Sequence, residues 1–222
     1  LLTIENLPDL NETITVPEDI FEELTAQDAS VAGFNPYEQP TVRDLLYGVL
    51  LPSGADACET LARAVGGSEE GFVAMMNQKA EELGLTNTHF ENCTGLHNDN
   101  HYSTCRDIAV LMSECLKSDT FREIVTREVY TTEATASHPE GITLYDTMLH
   151  RFTSYEMSTT LENGAVIEGG KTGFTDEAGQ CLVSFAEYGG EEYILVTAEA
   201  MTDSGSAVDS IADASTVYGR LQ

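Results

Sequence analysis

Residues 180–188 (QCLVSFAEY) and 191–199 (EEYILVTAE) are two strand-like runs joined by Gly189-Gly190. A two-residue glycine link marks a tight hairpin, because both linking residues need positive φ. An antiparallel pair therefore lies near the C-terminal end. Upstream of about residue 126 the spacing is helical instead. Val42, Leu45, Leu46, Val49 and Leu50 share one face, behind Thr41 as N-cap with Asp44 as its capping-box partner, and Pro52 ends the run. Ser53 stands where a helix to about residue 65 needs its N-cap. Ser68 caps another, with Phe72, Met75, Met76, Lys79, Ala80 and Leu83 on one face and Gly84 as its stop. Ser103 or Thr104 starts a helix carrying Ile108, Leu111, Met112, Cys115 and Leu116 on one side, and residues 121–125 form a short one.

The remaining segments are less patterned. Residues 1–7 read as the tail of a helix stopped by Pro8, 13–16 as a short strand, 17–40 as loop, 126–132 as strand and 206–221 as a closing helix. Residues 133–165 stay open. Helices first, then antiparallel strands and a last helix, is the order of an α+β fold whose sheet is covered by helices.

Charge excludes some functions. Against 10 basic residues stand 38 acidic ones, a net charge of -28, so phosphate backbones and anionic membrane surfaces are repelled. No nucleic-acid partner is expected. No apolar run reaches the length of a membrane span, and residue 1 opens neither on Met nor on a signal peptide. Cys58, Cys93, Cys105, Cys115 and Cys181 form no C-x-x-C pair and no zinc-ligand spacing, so free thiols and no metal site are expected.

Three groups of residues bear chemistry. Lys171-Thr172-Gly173 reads either as a turn with an exposed lysine or as part of a phosphate loop. The second requires glycine at position 165, where Ala165 stands, and a following helix, where strands follow. Ser53 is either a plain helix cap or a hydroxyl able to relay a proton. His97 and His101 have the spacing of helical metal ligands, but sit in a loop pattern without an accompanying glutamate, so surface or turn histidines are expected.

Together, residues 41–57 (TVRDLLYGVLLPSGADA), 72–80 (FVAMMNQKA), 87–92 (NTHFEN), Gly95-Leu96-His97, 101–104 (HYST), 169–175 (GGKTGFT) and 178–183 (AGQCLV) resemble the serine D-alanyl-D-alanine carboxypeptidases, the low-molecular-mass penicillin-binding proteins. The likeness runs along nearly the whole chain. It implies a β-lactamase/transpeptidase-like fold: an antiparallel sheet flanked by helices, with a helical subdomain at about 41–125 and the rest in the sheet-and-helix part of one catalytic domain. It also implies acyl transfer on peptidoglycan stem peptides ending in D-Ala-D-Ala, acylation by β-lactam antibiotics, and a place outside the bacterial cytoplasm. No cofactor is implied, and membrane contact is expected only through segments outside this chain. By match, Ser53 takes the proton-transfer role, and Lys171, Thr172 and Gly173 bind substrate from a strand edge, where Gly173 lets the substrate backbone approach.

Two departures stand out. The family's Ser-x-Asn motif has Ala55 in its third place. The family's Ser-x-x-Lys, which holds the nucleophile and its lysine, does not occur: the lysines are Lys79, Lys117 and Lys171, and three places before them stand Met76, Glu114 and Glu168. The expectation is a domain cut short just after that motif. A catalytically inert peptidoglycan-binding module and a β-lactamase of the same fold are the alternatives.

Overall fold

The computed structural model describes residues 1–200 and 208–222. The chain forms two compact units, Leu1–Tyr102 with Val129–Asp146, and Ser103–Glu128 with Thr147–Gln222. The first holds α1 (Leu2–Asn6), α2 (Ile20–Ala26), α3 (Val42–Leu50), α4 (Ala55–Gly66) and α5 (Glu69–Glu82). α6 (Cys105–Cys115) and α7 (Asp119–Val125) belong to the second, so the expected helical stretch 41–125 is shared between the units. β1 (Val129–Thr131) and β2 (Thr143–Tyr145) return to the first unit. α8 (Leu149–Ser154), β3 (Val166–Thr175), β4 (Gly179–Tyr188), β5 (Glu191–Ala200) and α9 (Asp209–Tyr218) complete the second.

In the first unit, α4 is the hub, packed by α1, α2, α3 and α5. α3 starts at the expected capping box, with the Asp44 N–H donating to Thr41 Oγ1 and the Thr41 N–H to Asp44 Oδ2, both at 3.1 Å. The same carboxylate reaches further. Its Oδ1 accepts the Tyr130 hydroxyl at 2.9 Å and the Glu133 N–H at 3.1 Å, tying α3 to the β1–β2 ribbon. The Tyr130 ring stacks on Tyr47, centroids 3.7 Å apart.

Some local expectations fail here. Residues 13–16 make no strand; Thr13 forms a single bridge to Thr41, and Ile14 and Val16 donate to the Pro40 and Glu38 carbonyls. Pro17, Pro36 and Pro40 lack the N–H groups that a longer ladder needs. α2 forms inside the expected loop 17–40, burying Ile20 and Leu24. Two apolar residues four apart are too few to show a period. Of 126–132, only Val129–Thr131 is strand.

In the second unit, β3, β4 and β5 make an antiparallel sheet in that order, with β3 at an edge. The hairpin forms as read: Gly189 and Gly190 have φ of 63° and 85°, and Tyr188 pairs with Glu191. Ile167, Leu182 and Ala186 of the sheet bury themselves with Met148, Phe152, Ile211, Ala214 and Tyr218. α6 and α9 pack on β4 and β5. The Tyr218 hydroxyl donates to the Ser184 carbonyl at 2.9 Å, and burial pushes its pKa up to about 12. The closing helix runs Asp209–Tyr218; Ser206 and Ala207 of the expected helix lie outside the described residues. The architecture is the α+β one expected, a sheet flanked by helices together with a helical part. No helix among the described residues is long and apolar enough to cross a membrane.

Candidate active site

Ser53 is not a helix cap. Gly54 is the N-cap of α4, and Ser53 precedes it in the left-handed region at φ 61°. A residue with a Cβ disfavours that conformation by about 1 kcal/mol or more, so the surroundings must enforce it. They do so with hydrogen bonds on the residues that follow. The Gly54 N–H donates to the Gly48 carbonyl at 2.9 Å and the Ala55 N–H to the Ser30 carbonyl at 2.8 Å. Asp56, fully buried, accepts the backbone N–H groups of Ala32 at 2.7 Å, Gly33 at 2.9 Å and Phe34 at 3.0 Å. Gly54 has no room for a side chain, since a Cβ there would stand 2.6 Å from the Ala32 Cβ. The segment after Ser53 is thus clamped between α3 and the 30–34 loop. Ala55, in the place of the motif's asparagine, is buried at 6% exposure.

Lys171, Thr172 and Gly173 lie along the edge strand β3, opposite Val183, Leu182 and Cys181 of β4. The turn and phosphate-loop readings are both overturned, because the tripeptide is inside a regular ladder and the next element is the strand β4 rather than a helix. Lys171 Nζ donates to the Thr172 carbonyl at 2.8 Å. Thr172 is buried and its hydroxyl shares a hydrogen bond with the Thr147 hydroxyl at 2.6 Å. Gly173 is exposed, and a Cβ on it would meet only the Cys181 Cβ at 3.9 Å. Phe174 beside it is 63% exposed. The two preceding glycines differ. A Cβ on Gly169 would stand 2.4 Å from the Val125 carbonyl oxygen, and one on Gly170 would stand 2.4 Å from that of Val183 and 2.8 Å from Met148 Sδ. Packing requires those two, whereas among the described residues a Cβ on Gly173 would meet nothing closer than the Cys181 Cβ at 3.9 Å.

His97 and His101 do not converge on one point of chemistry. His97 Nε2 is 3.4 Å from Asp99 Oδ1. His101 Nδ1 accepts the Glu91 N–H at 3.3 Å, its ring meets Phe90 edge-on, and burial lowers its pKa. One polar cluster had no sequence signal at all: Glu59, Glu69 and Cys93, ten and 24 residues apart, bring donor atoms within 4.8 Å of one another.

Fold and motif together define a class of α+β proteins with a Lys-Thr-Gly tripeptide on an edge strand. The family model of D-alanyl-D-alanine carboxypeptidases matches residues 5–202, and the chain belongs to that family. It is 36% identical over 168 residues to the D-alanyl-D-alanine carboxypeptidase DacF of Bacillus subtilis, covering 75% of this chain and 40% of that protein. It is 35% identical over 191 residues to the D-alanyl-D-alanine carboxypeptidase of Streptomyces sp. strain K15, covering 83% of this chain and 63% of that one. Its fold matches the crystal structure of the Streptomyces K15 DD-transpeptidase with a TM-score of 0.79 at 30% identity, covering 98% of this chain and 84% of the other. A D-alanyl-D-alanine carboxypeptidase from Mycobacterium tuberculosis matches with a TM-score of 0.77 at 26% identity, covering 98% and 75%. The β-lactamase/transpeptidase-like fold and the family read from the motifs are therefore those of this chain.

Proposed function

We propose that residues 1–222 belong to the catalytic domain of a serine D-alanyl-D-alanine carboxypeptidase, whose nucleophilic serine and assisting lysine are not among them. It trims peptidoglycan stem peptides ending in D-Ala-D-Ala outside the bacterial cytoplasm, and β-lactams acylate it as substrate mimics. The observation that carries this reading is the Lys-Thr-Gly tripeptide on an edge strand, with Gly173 exposed and clear of neighbours. An unpaired strand edge accepts an extended peptide by main-chain hydrogen bonds. A glycine at the contact keeps a Cβ out of the path of the substrate backbone. In this reading the Lys171 ammonium attracts the terminal carboxylate, and the Thr172 hydroxyl is a further donor to it once released from Thr147. Ser53, pre-set in a conformation that its neighbours enforce, passes a proton to the departing D-alanine amine.

The reaction also needs a serine that attacks the peptide carbonyl and a lysine that assists it. No Ser-x-x-Lys stands among residues 1–222. The test is therefore made on the protein as its gene encodes it. After incubation with penicillin, its intact mass is expected to rise by one penicilloyl group, and D-alanine is expected to appear from an acyl-D-Ala-D-Ala peptide. Replacing Lys171 by Ala is expected to slow acylation at least tenfold. A folded protein that gains no mass and releases no D-alanine overturns the reading in favour of an inert stem-peptide binder. Ala55 is the observation on the side of that second reading, since a methyl replaces the motif's amide donor.

A further inference from the structure

α4, the first turn of α5 and the loop after α5 bring together three side chains that the peptidase reading does not use. Glu59 lies on α4, Glu69 on α5 and Cys93 in the loop, and one donor atom from each lies within 4.8 Å of the others. Cys93 Sγ donates to Glu59 Oε1 at 3.4 Å, and the Cys93 N–H donates to Glu69 Oε1 at 3.1 Å. Glu59 is only 7% exposed, yet its Oε2 is buried without a hydrogen-bond partner. Arg63 Nε stands 3.6 Å from that oxygen, beyond hydrogen-bond reach, while Arg63 Nη1 is held by Asp19 at 2.6 Å. A second thiol is at hand: Cys58 of α4 donates to the Cys93 carbonyl at 2.9 Å. Buried polar atoms are ordinarily satisfied, so an orphan carboxylate oxygen inside a ring of ligating groups calls for a bound partner.

We propose that Glu59, Glu69 and Cys93 bind one thiophilic divalent cation of the zinc class, with Cys58 or a water as the fourth ligand. A thiolate selects against calcium and magnesium, which take oxygen ligands in larger number. Zinc accepts thiolate and carboxylate together in four-fold coordination, at about 2.0–2.3 Å. Closing the present cluster onto such an ion takes movements of about an ångström, within the reach of side-chain rotation. Binding deprotonates the thiol: Cys93 becomes a thiolate bound to the metal and its proton passes to solvent, so affinity rises with pH. The bound ion ties the loop around Cys93 to both helices, and α4 is the helix that follows Ser53.

The experiment is a cobalt titration of the whole protein, reduced and metal-free, followed by competition with zinc. A thiolate-to-cobalt charge-transfer absorption is expected to saturate at one equivalent and to vanish on adding zinc. Cys93→Ser and Glu59→Gln are each expected to weaken binding at least tenfold, and replacing both Cys58 and Cys93 by Ser to abolish the absorption. Should any variant fail to fold, alkylation of the unaltered protein decides: zinc is expected to shield Cys93 from iodoacetamide while leaving Cys105, the exposed cysteine, reactive. Absence of the absorption, unchanged affinity in folded Cys93→Ser, or unshielded Cys93 under saturating zinc each overturns the site. So does a Cys58–Cys93 disulfide that forms in place of metal binding. None of these outcomes depends on peptidase activity, so the two proposals stand or fall separately.

Discussion

The segment around Ser53 and the strand around Lys171 are held by opposite means. The first is irregular backbone, fixed by one buried carboxylate: Asp56 gathers three N–H groups from residues 32–34 onto the start of α4. The second is a continuous ladder, in which each residue from Gly169 to Thr175 is paired with β4 and close packing comes from missing side chains at Gly169 and Gly170. A carboxylate hub concentrates support in one side chain. A ladder spreads it over many peptide groups, leaving single residues replaceable except where a Cβ has no room. One region thus holds a left-handed serine and the other an unstrained edge, within the same chain.

The largest expected effect tests the hub. Asp56→Ala removes the carboxylate that accepts from four backbone donors, those of Ala32, Gly33, Phe34 and Ala57, and is expected to destabilise the protein by about 4 kcal/mol in urea unfolding. A loss below about 1 kcal/mol would mean that the segment is held some other way. Next comes the ladder's weak point: Gly170→Ala places a Cβ 2.4 Å from the Val183 carbonyl oxygen, and about 3 kcal/mol should be lost in thermal denaturation.

Glu59 lets the first region be probed by pH. Its pKa is raised from 4.5 to about 7 by burial and by Glu69, so the folded state holds the proton more tightly than the unfolded one. In metal-free protein its contribution is complete below pH 4.5 and is lost as pH rises towards 7, a slope that Glu59→Gln should remove. Glu38 runs the other way. Burial alone would raise its pKa, but hydrogen bonds from Thr135, the Asn35 N–H and His138 outweigh that and bring it below 4.5. Its stabilisation is present above 4.5 and fades as pH falls through the lowered value.

The smallest effects on stability separate support from chemistry. Ser53→Gly relieves the left-handed strain and should stabilise by about 1 kcal/mol, while acylation by penicillin drops at least tenfold. Gly173→Ala meets nothing closer than 3.9 Å, so its melting temperature should hardly move although acylation falls. Unchanged acylation in Gly173→Ala would remove that residue from the substrate path.

What could be read from the sequence was what is decided locally. The Thr41–Asp44 capping box spans four residues, and the Gly189-Gly190 turn needs two, so both were visible. Ser53 shows the limit. Its position before an apolar run looked like a cap, but Gly54 does the capping, and the conformation of Ser53 depends on partners from residues 30–34 and 48. Asp56 gave no signal because its partners lie 22 to 24 residues away. The Glu59, Glu69 and Cys93 cluster was hidden for the same reason: helix packing, which no spacing rule encodes, brings α5 and its loop against α4. In β3, by contrast, both the Lys-Thr-Gly tripeptide and its place at a strand edge were found by resemblance, and the sheet order puts it there.

The turn at Gly189 and Gly190 is also a practical opening. Both glycines are exposed, both have positive φ, and among the described residues neither has anything within 4 Å of where a Cβ would stand. Exposed tight turns of this kind take inserted sequence more readily than packed elements do. A short peptide tag or a fluorophore attachment site placed between them would report on the protein in a living cell, with the Lys171 strand and the Ser53 segment left as they are.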